Sequence, residues 1–117
     1  MTDILFRSAA EVALMVRRRE VSSRELTELL LARIEAVNPA VNAVVEVDRD
    51  SALRAADAAD AAVLRADELG SLHGIPMTIK DSVDVAGLRT TWGNPAFKDF
   101  VAGSDATVVS RLRRAAP

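Results

Sequence analysis

The sequence predicts a helix-rich α/β fold with a few short strands. Half of its 117 residues are hydrophobic, but these include only three Phe, one Trp and no Tyr, so most apolar volume comes from Ala, Val, Leu and Ile. Abundant Ala favours helices. Between the helical stretches, residues 41–47 and 77–79 are rich in β-branched side chains and are the strand candidates. A chain of this length holds one modest core.

Charge and composition exclude several classes of function. The net charge is −2, and acidic and basic residues are interleaved. The sequence thus has no basic stripe that could bind a phosphate backbone, and we do not expect direct binding of nucleic acid. The absence of Cys and the single His exclude a thiol nucleophile and a Cys- or His-based metal cluster, and we expect neither a metal nor a cofactor. Without a membrane-spanning run of about 18 apolar residues or a signal-peptide pattern, the sequence predicts a cytoplasmic protein that makes no membrane contact.

Two helices near the N-terminus have clear start signals. Ser8 with Glu11 has the spacing of a capping box, and the helix after it runs into three arginines, residues 17–19. We interpret these arginines as a solvated face that suits a helix C-terminus, with an anion-binding patch as the alternative. Ser22 with Glu25 is a second capping box, and the Pro immediately after Asn38 predicts the end of that helix.

The next elements are predicted from residue type. Residues 41–47 read as a strand closed by Asp48, and the Ala-rich residues 51–69 as a helix with Gly70 as its cap. Ser104 or Asp105 would begin a last helix. That helix stops where an α/β pattern would next supply a strand, so we expect the chain to be incomplete.

The strand candidate 77–79 ends on Lys80. Spacing alone favours a strand that has simply reached water, since lysine is rarely buried unless it is paired. The alternative is a lysine delivered to a functional site.

Four consecutive motifs resemble the N-terminal part of the amidase signature family. They are GIPMTIKD at 74–81, DVAG at 84–87, TT with a Gly two positions on at 90–93, and SDATVVSRLR at 104–113. The resemblance extends over nearly the whole of residues 1–117, with 1–70 as a helical lead-in containing one strand and 71–117 as the start of the signature core.

The resemblance implies an α/β/α layered fold and an amide hydrolase that uses a serine nucleophile, a bridging serine and a lysine. Lys80 occupies the position of that lysine, as the general base of a Ser-Ser-Lys mechanism. Serine is a weak nucleophile until a base removes its proton, and lysine can do so only when neutral. An enclosed apolar surrounding favours the neutral amine, and we expect Met77 and Ile79 to help provide it.

Neighbouring polar residues receive other interpretations. Because successive side chains of an extended segment point to opposite faces, we expect Asp81 to turn away from Lys80 and bond backbone amides of the following loop. His73 is interpreted as a loop histidine. Thr90, Thr91 and Trp92 are candidates for a substrate pocket, and for the two threonines and Trp92 a packed loop is an equally weighted reading.

The Gly- and Ser-rich stretch that carries the two serines in the family is absent. We therefore expect no amide hydrolysis by the chain alone, with a small-molecule amide as the substrate of the full-length enzyme. A fragment resembling the A subunit of a tRNA-dependent amidotransferase is one alternative. Another is a non-catalytic remnant or partner-binding module that associates through exposed apolar faces.

Overall fold

The computed structural model describes residues 2–116, and Met1 and Pro117 lie outside the described residues. Four α-helices dominate: α1 (Ala9–Arg17), α2 (Ser23–Val41), α3 (Arg49–Leu64) and α4 (Thr107–Ala115). Two short 3-10 helices, Thr2–Phe6 and Pro95–Phe97, complete the regular structure. Within residues 2–116, strand pairing is limited to an isolated antiparallel bridge between Arg89 and Val101.

Both capping boxes are confirmed. The Ser8 hydroxyl accepts from the Glu11 amide at 3.2 Å, and the Glu11 carboxylate accepts from the Ser8 amide at 2.8 Å. Ser22 and Glu25 repeat the exchange at the start of α2, with both distances at 2.9 Å. These reciprocal bonds satisfy amides that the first turn of a helix leaves without partners.

The arginines after α1 contact the chain more closely than the sequence predicts. A guanidinium nitrogen of Arg17 donates to the carbonyl oxygens of Gly70 at 2.6 Å and Leu69 at 3.2 Å. Arg19 donates to Val63 O at 3.4 Å, near the C-terminus of α3, where carbonyls are short of partners. All three arginines are exposed, in agreement with the interpretation as a solvated face, and Arg17 and Arg19 also bond backbone carbonyls of other segments.

The predicted end of α2 and the predicted strand 41–47 are both wrong. The helix continues through Pro39 to Val41 and ends on Asn42, whose φ of 49° is left-handed. The Asn38 side chain then accepts from the amides of Ala43 and Val44, each at 2.9 Å, and donates to Val44 O at 2.8 Å. These bonds use the backbone groups with which a strand would begin, and residues 42–48 have no regular structure.

The other two helices also have shifted bounds. Helix α3 begins earlier than predicted, because Asp48 acts as its N-cap and accepts from the Ser51 amide at 3.2 Å. It ends at Leu64, so Gly70 is not its cap. Helix α4 begins after Ala106 without a side-chain cap. Asp105 instead accepts from the Ala86 amide and from Arg113, both at 2.8 Å.

Helices α2 and α3 pack as an antiparallel pair. Arg49 at the start of α3 bonds Glu35 far along α2, and Asp60 far along α3 bonds the first turn of α2. The Asp60 carboxylate accepts from the amides of Ser23 at 2.7 Å and Arg24 at 3.0 Å. A residue from another helix therefore supplies part of the N-terminal cap of α2.

A small apolar core joins these helices to the N-terminal segment. Burial of one such side chain contributes about 1.5–3 kcal/mol. Val21 and Leu26, on either side of the start of α2, are buried here together with Ile4 of the first 3-10 helix. The cluster consists of Ile4, Val12, Val16, Val21, Leu26 and Val63.

No helix in the described part of the chain has the length and apolar character needed to cross a membrane.

Asp60→Ala should lower the free energy of unfolding by about 1–2 kcal/mol, as loss of a helix N-cap does, because two amides of α2 lose their acceptor. Urea denaturation followed by circular dichroism measures the change. The matched control is Asp57→Ala, one turn earlier on α3, which removes only an exposed ion pair with Arg24 and should cost well under about 1 kcal/mol. Equal losses in the two variants would contradict the capping role.

Candidate active site

Residues 69–74, which we call the central turn, form hydrogen bonds with all four helices. The central turn leads directly into the segment that contains Lys80. From α1, Arg17 donates to Leu69 O and Gly70 O. From α2, the Ser23 hydroxyl donates to Gly74 O at 2.8 Å. At the end of α4, Ala115 O accepts from the Leu72 amide at 2.9 Å, and Gly70 lies so close that a Cβ there would collide with the same oxygen.

His73 links the central turn to two further helix positions. Its side chain is buried, and its ring nitrogens lie 2.8 Å from Ala59 O on α3 and 3.1 Å from Ala116 O after α4. The sequence-based interpretation as a loop histidine agrees with this position. Because both ring nitrogens contact backbone carbonyl oxygens, the role of His73 is structural.

Gly74 meets the central turn's tightest requirement. Its φ of +76° is left-handed, and a Cβ there would lie 3.0 Å from the buried Val16 side chain and 3.3 Å from Ser23 Cβ. Glycine is therefore required both by backbone conformation and by space.

Gly74→Ala should destabilise the chain more than Gly87→Ala. Both positions have positive φ, which costs an alanine about 1–2 kcal/mol, but a Cβ at Gly87 meets nothing within 4 Å. The clash with Val16 should add about 1–3 kcal/mol for Gly74 alone. Urea unfolding midpoints compare the two variants, and equal midpoints would show that Val16 and Ser23 do not confine this position.

Lys80 lies on the surface of the described structure. Its side chain is exposed, and no ion pair to its ammonium occurs within residues 2–116. The predicted strand 77–79 is wrong, since these residues pair with no neighbour. Met77 is 45% exposed, so the expected apolar enclosure of Lys80 is not formed by these residues. A strand needs a neighbouring strand to pair with, and an enclosed lysine needs residues that cover it. The described residues provide neither for 77–80.

Asp81 connects the segment after Lys80 to a second loop. Its carboxylate accepts from the Thr91 amide at 3.1 Å and from the Thr91 hydroxyl, and its carbonyl accepts from the Trp92 amide at 3.3 Å. The Thr91 hydroxyl oxygen also accepts from the Gly93 amide at 3.3 Å. The prediction that Asp81 bonds backbone amides of the following loop is confirmed.

These bonds favour the ionised form of Asp81. The Thr91 hydroxyl first, and then the Thr91 amide, hold the pKa of the Asp81 carboxyl below its ordinary value, whereas partial burial acts in the opposite direction. Because the pKa in the folded state is lowered, the resulting stability is present above the pKa of the unfolded state and is lost as the pH falls through the folded-state pKa.

Asp81→Asn should therefore lower the urea unfolding midpoint at about pH 6 and have a smaller effect at about pH 3.5, below the ordinary aspartate pKa of about 3.9. Asp99→Asn is the control, because within residues 2–116 the Asp99 side chain makes no hydrogen bond or ion pair. A deficit of the same size at both pH values would mean that Asp81 stabilises the loop without its charge.

An open cleft of about 310 Å³ lies beside the Asp81–Thr91 pair. A second contact crosses it, because the Glu46 carboxylate accepts from the Arg89 amide at 2.6 Å and from Arg89 Nε at 3.1 Å. Charge-assisted bonds are stronger than neutral ones, so this pair holds the irregular segment after α2 against the loop. Sequence reasoning missed Glu46 and Arg89, which lie 43 positions apart and share no motif. The lining consists of Val45, Glu46, Asp81, Arg89, Thr91, Gly93, Asn94, Pro95 and Lys98.

The structure does not bring the predicted site residues into one pocket. Thr91 lines the cleft, but Lys80, Thr90 and Trp92 do not. Thr90 is 2% exposed and its amide donates to Phe100 O at 3.0 Å, which is the packed-loop alternative. Trp92 is 70% exposed, with a left-handed φ of 59°. In the described part of the chain, no cluster of three or more acidic or histidine side chains could hold a metal ion.

Comparison with known proteins places this geometry in a family. A sequence profile described as Amidase matches residues 25–117, which is most of the chain. The chain belongs to the amidase signature family. It corresponds to the N-terminal portion of that family, and the predicted fold class is confirmed by the structural likeness.

Individual amidase relatives agree over almost all of the chain. It is 44% identical over 115 residues to the A subunit of the glutamyl-tRNA(Gln) amidotransferase of Acidothermus cellulolyticus, covering 98% of this chain and 23% of that protein. It is 46% identical over 108 residues to indoleacetamide hydrolase of Bradyrhizobium diazoefficiens, covering 92% and 21%. The solved peptide amidase of Stenotrophomonas maltophilia superposes with a TM-score of 0.89 at 31% identity, covering 99% and 24%.

The chain thus spans about a quarter of the length of the amidase relatives it matches. Its fold is that of the corresponding quarter of the family, with Lys80 on a surface rather than in an enclosed site. Near this region Ser82 and Ser110 have no adjacent glycine and Ser104 has only Gly103, so none of the three has glycines on both sides to form a nucleophile turn.

Proposed function

We propose that this chain supplies the lysine of a Ser-Ser-Lys site that hydrolyses carbon-nitrogen amide bonds, with both serines in a further portion of an amidase fold. The observation that carries the proposal is the position of Lys80. It follows a turn fastened by four helices, in a chain whose relatives include an indoleacetamide hydrolase and an amidotransferase subunit.

In the proposed reaction Lys80 acts as general base through the bridging serine. The nucleophilic serine oxygen attacks the amide carbonyl carbon while its proton passes through the bridging serine to Lys80 Nζ. The same proton is then given to the departing amine as the carbon-nitrogen bond breaks. Water afterwards releases the acyl group from the serine, so the products are a carboxylic acid and an amine or ammonia.

The geometry supports this role through the backbone on both sides of Lys80. Before Lys80, the helices hold the central turn by hydrogen bonds. After Lys80, Asp81 is held by its bonds to Thr91 and Trp92. Fixing the backbone around a base lowers the entropy cost of placing it at its target. Asp81 itself bonds Thr91, and within residues 2–116 Lys80 makes no ion pair with a carboxylate.

Lys80→Met should abolish hydrolysis in a chimera that joins this chain to the rest of the Bradyrhizobium indoleacetamide hydrolase in place of its matched 108 residues. We expect kcat for ammonia release from indoleacetamide to fall about 10²–10⁴-fold, the usual contribution of a general base. Lys98→Met, at the other lysine of the chain, is the matched control and should retain activity.

Two results would contradict the proposal. One is a chimera that hydrolyses indoleacetamide equally well with Lys80→Met. The other is amide turnover by the isolated 117-residue chain, because it would require a nucleophile that the proposal locates elsewhere. Glutamine hydrolysis by a second chimera, built on the Acidothermus amidotransferase, compares the two substrate classes on the same Lys80 and Lys98 variants.

A further inference from the structure

The aromatic side chains of this protein are unusually exposed. Each of the four, Phe6, Trp92, Phe97 and Phe100, has between 48% and 77% of its surface in contact with solvent. Single exposed apolar residues are common, but aromatic rings carry the largest apolar area of any side chains and are normally covered in a folded protein. Three of the four fall within residues 92–100, so their exposure has a common location.

These three rings project from one folded loop unit, residues 87–102, which we call the aromatic loop. Its two sides are joined by backbone bonds: the Thr90 amide donates to Phe100 O at 3.0 Å, the Ala102 amide to Leu88 O at 3.0 Å, and the Gly87 amide to Ala102 O at 2.9 Å. Two of its own residues, Thr90 and Ala102, are buried. The aromatic rings are thus held on an ordered support rather than on a free tail.

The aromatic loop has the composition of a protein interface. Exposed Val101 adds to the three rings, while Lys98 and Asp99 place one charge of each sign beside them. Interface centres are enriched in Trp and Phe, with charges kept to the rim. Balanced charge gives no attraction for a phosphate backbone or an anionic membrane, so the chemistry favours an apolar protein partner.

The length of the amidase relatives indicates the identity of that partner. The chain aligns over 99% of its length with a solved amidase but accounts for only 24% of that chain. Three quarters of the family fold therefore lie outside this quarter, and they must contact some of its surface. An exposed aromatic surface on an ordered loop gains free energy when such cover removes it from water.

We propose that the aromatic loop is the docking surface for the serine-bearing portion of an amidase fold. The proposal rests on the proposed function for the identity of that portion, and adds where it is bound. Trp92, Phe97 and Phe100 are the anchors, and docking there covers the loop that Asp81 ties to the segment of Lys80.

Cysteine reactivity tests the proposal, because the chain contains no Cys. Ala96→Cys places a thiol among the anchors without removing a ring, and Ala10→Cys on α1 is the matched control, since both alanines are exposed. Maleimide labelling of this chain's peptides is followed by mass spectrometry, in the isolated chain and in the hydrolase chimera. Ala96→Cys should react roughly tenfold or more slowly in the chimera, because a covered thiol is shielded, whereas Ala10→Cys should react equally in both.

A second measurement avoids dependence on the fold of the chimera. The untethered chain is co-expressed with the remaining portion of the hydrolase, and the complex is quantified by co-purification. Phe100→Ala should reduce the recovered complex roughly tenfold, which corresponds to about 1.4 kcal/mol, because it removes an anchor of the interface. Phe6→Ala removes an equally large exposed ring outside the aromatic loop and should leave recovery unchanged.

The outcomes separate this proposal from the proposed function. Protection of Ala96→Cys in a chimera whose hydrolysis survives Lys80→Met would support docking and overturn the role of Lys80. Equal reactivity of Ala96→Cys in the isolated chain and in an active, Lys80-dependent chimera would overturn docking alone. Concentration-dependent protection of Ala96→Cys in the isolated chain, with dimers in light scattering, would assign the surface to a second copy and also overturn the proposal.

Discussion

The hydrogen bonds between the helices and the backbone of the central turn are the interactions on which the rest of this structure depends. Residues 69–74 contain several carbonyl oxygens in a short irregular stretch, and such groups must find donors when they are taken from water. Here Arg17 and Ser23 supply donors from two helices. The turn therefore holds the helices together as much as they hold it. Because the family's GIPMTIKD motif begins at Gly74, the position of the motif depends on these bonds.

Complete local motifs predicted helix starts correctly, whereas single-residue signals for helix ends and contacts between distant residues did not predict the structure. Ser8 and Ser22 could be identified as caps because each capping box is complete within four residues. The Asp60 cap of α2 could not, since it comes from another helix with no motif at that spacing. The strand at 41–47 failed for a related reason: β propensity describes a surface that fits a sheet, and Asn38 offered those backbone groups nearer partners.

The candidate site divides along the same line. Lys80 was identified from a motif that resembles a family, and the bonds of Asp81 from alternation along an extended segment. The surroundings of Lys80 could not be predicted, because they depend on residues distant in sequence. A general base has to be both held in place and shielded from water. The described residues hold the backbone of Lys80 but leave its side chain exposed.

That division has a chemical consequence for an amide hydrolase. A lysine accepts a proton only as the neutral amine, and an enclosed apolar surrounding favours that form. If the portion that carries the serines also covers Lys80, the base becomes competent only where a nucleophile is present. The exposed rings of Trp92, Phe97 and Phe100 would then do more than add affinity. By covering the loop bonded to Asp81, docking would exclude water from the neighbourhood of Lys80 and complete the site in one step.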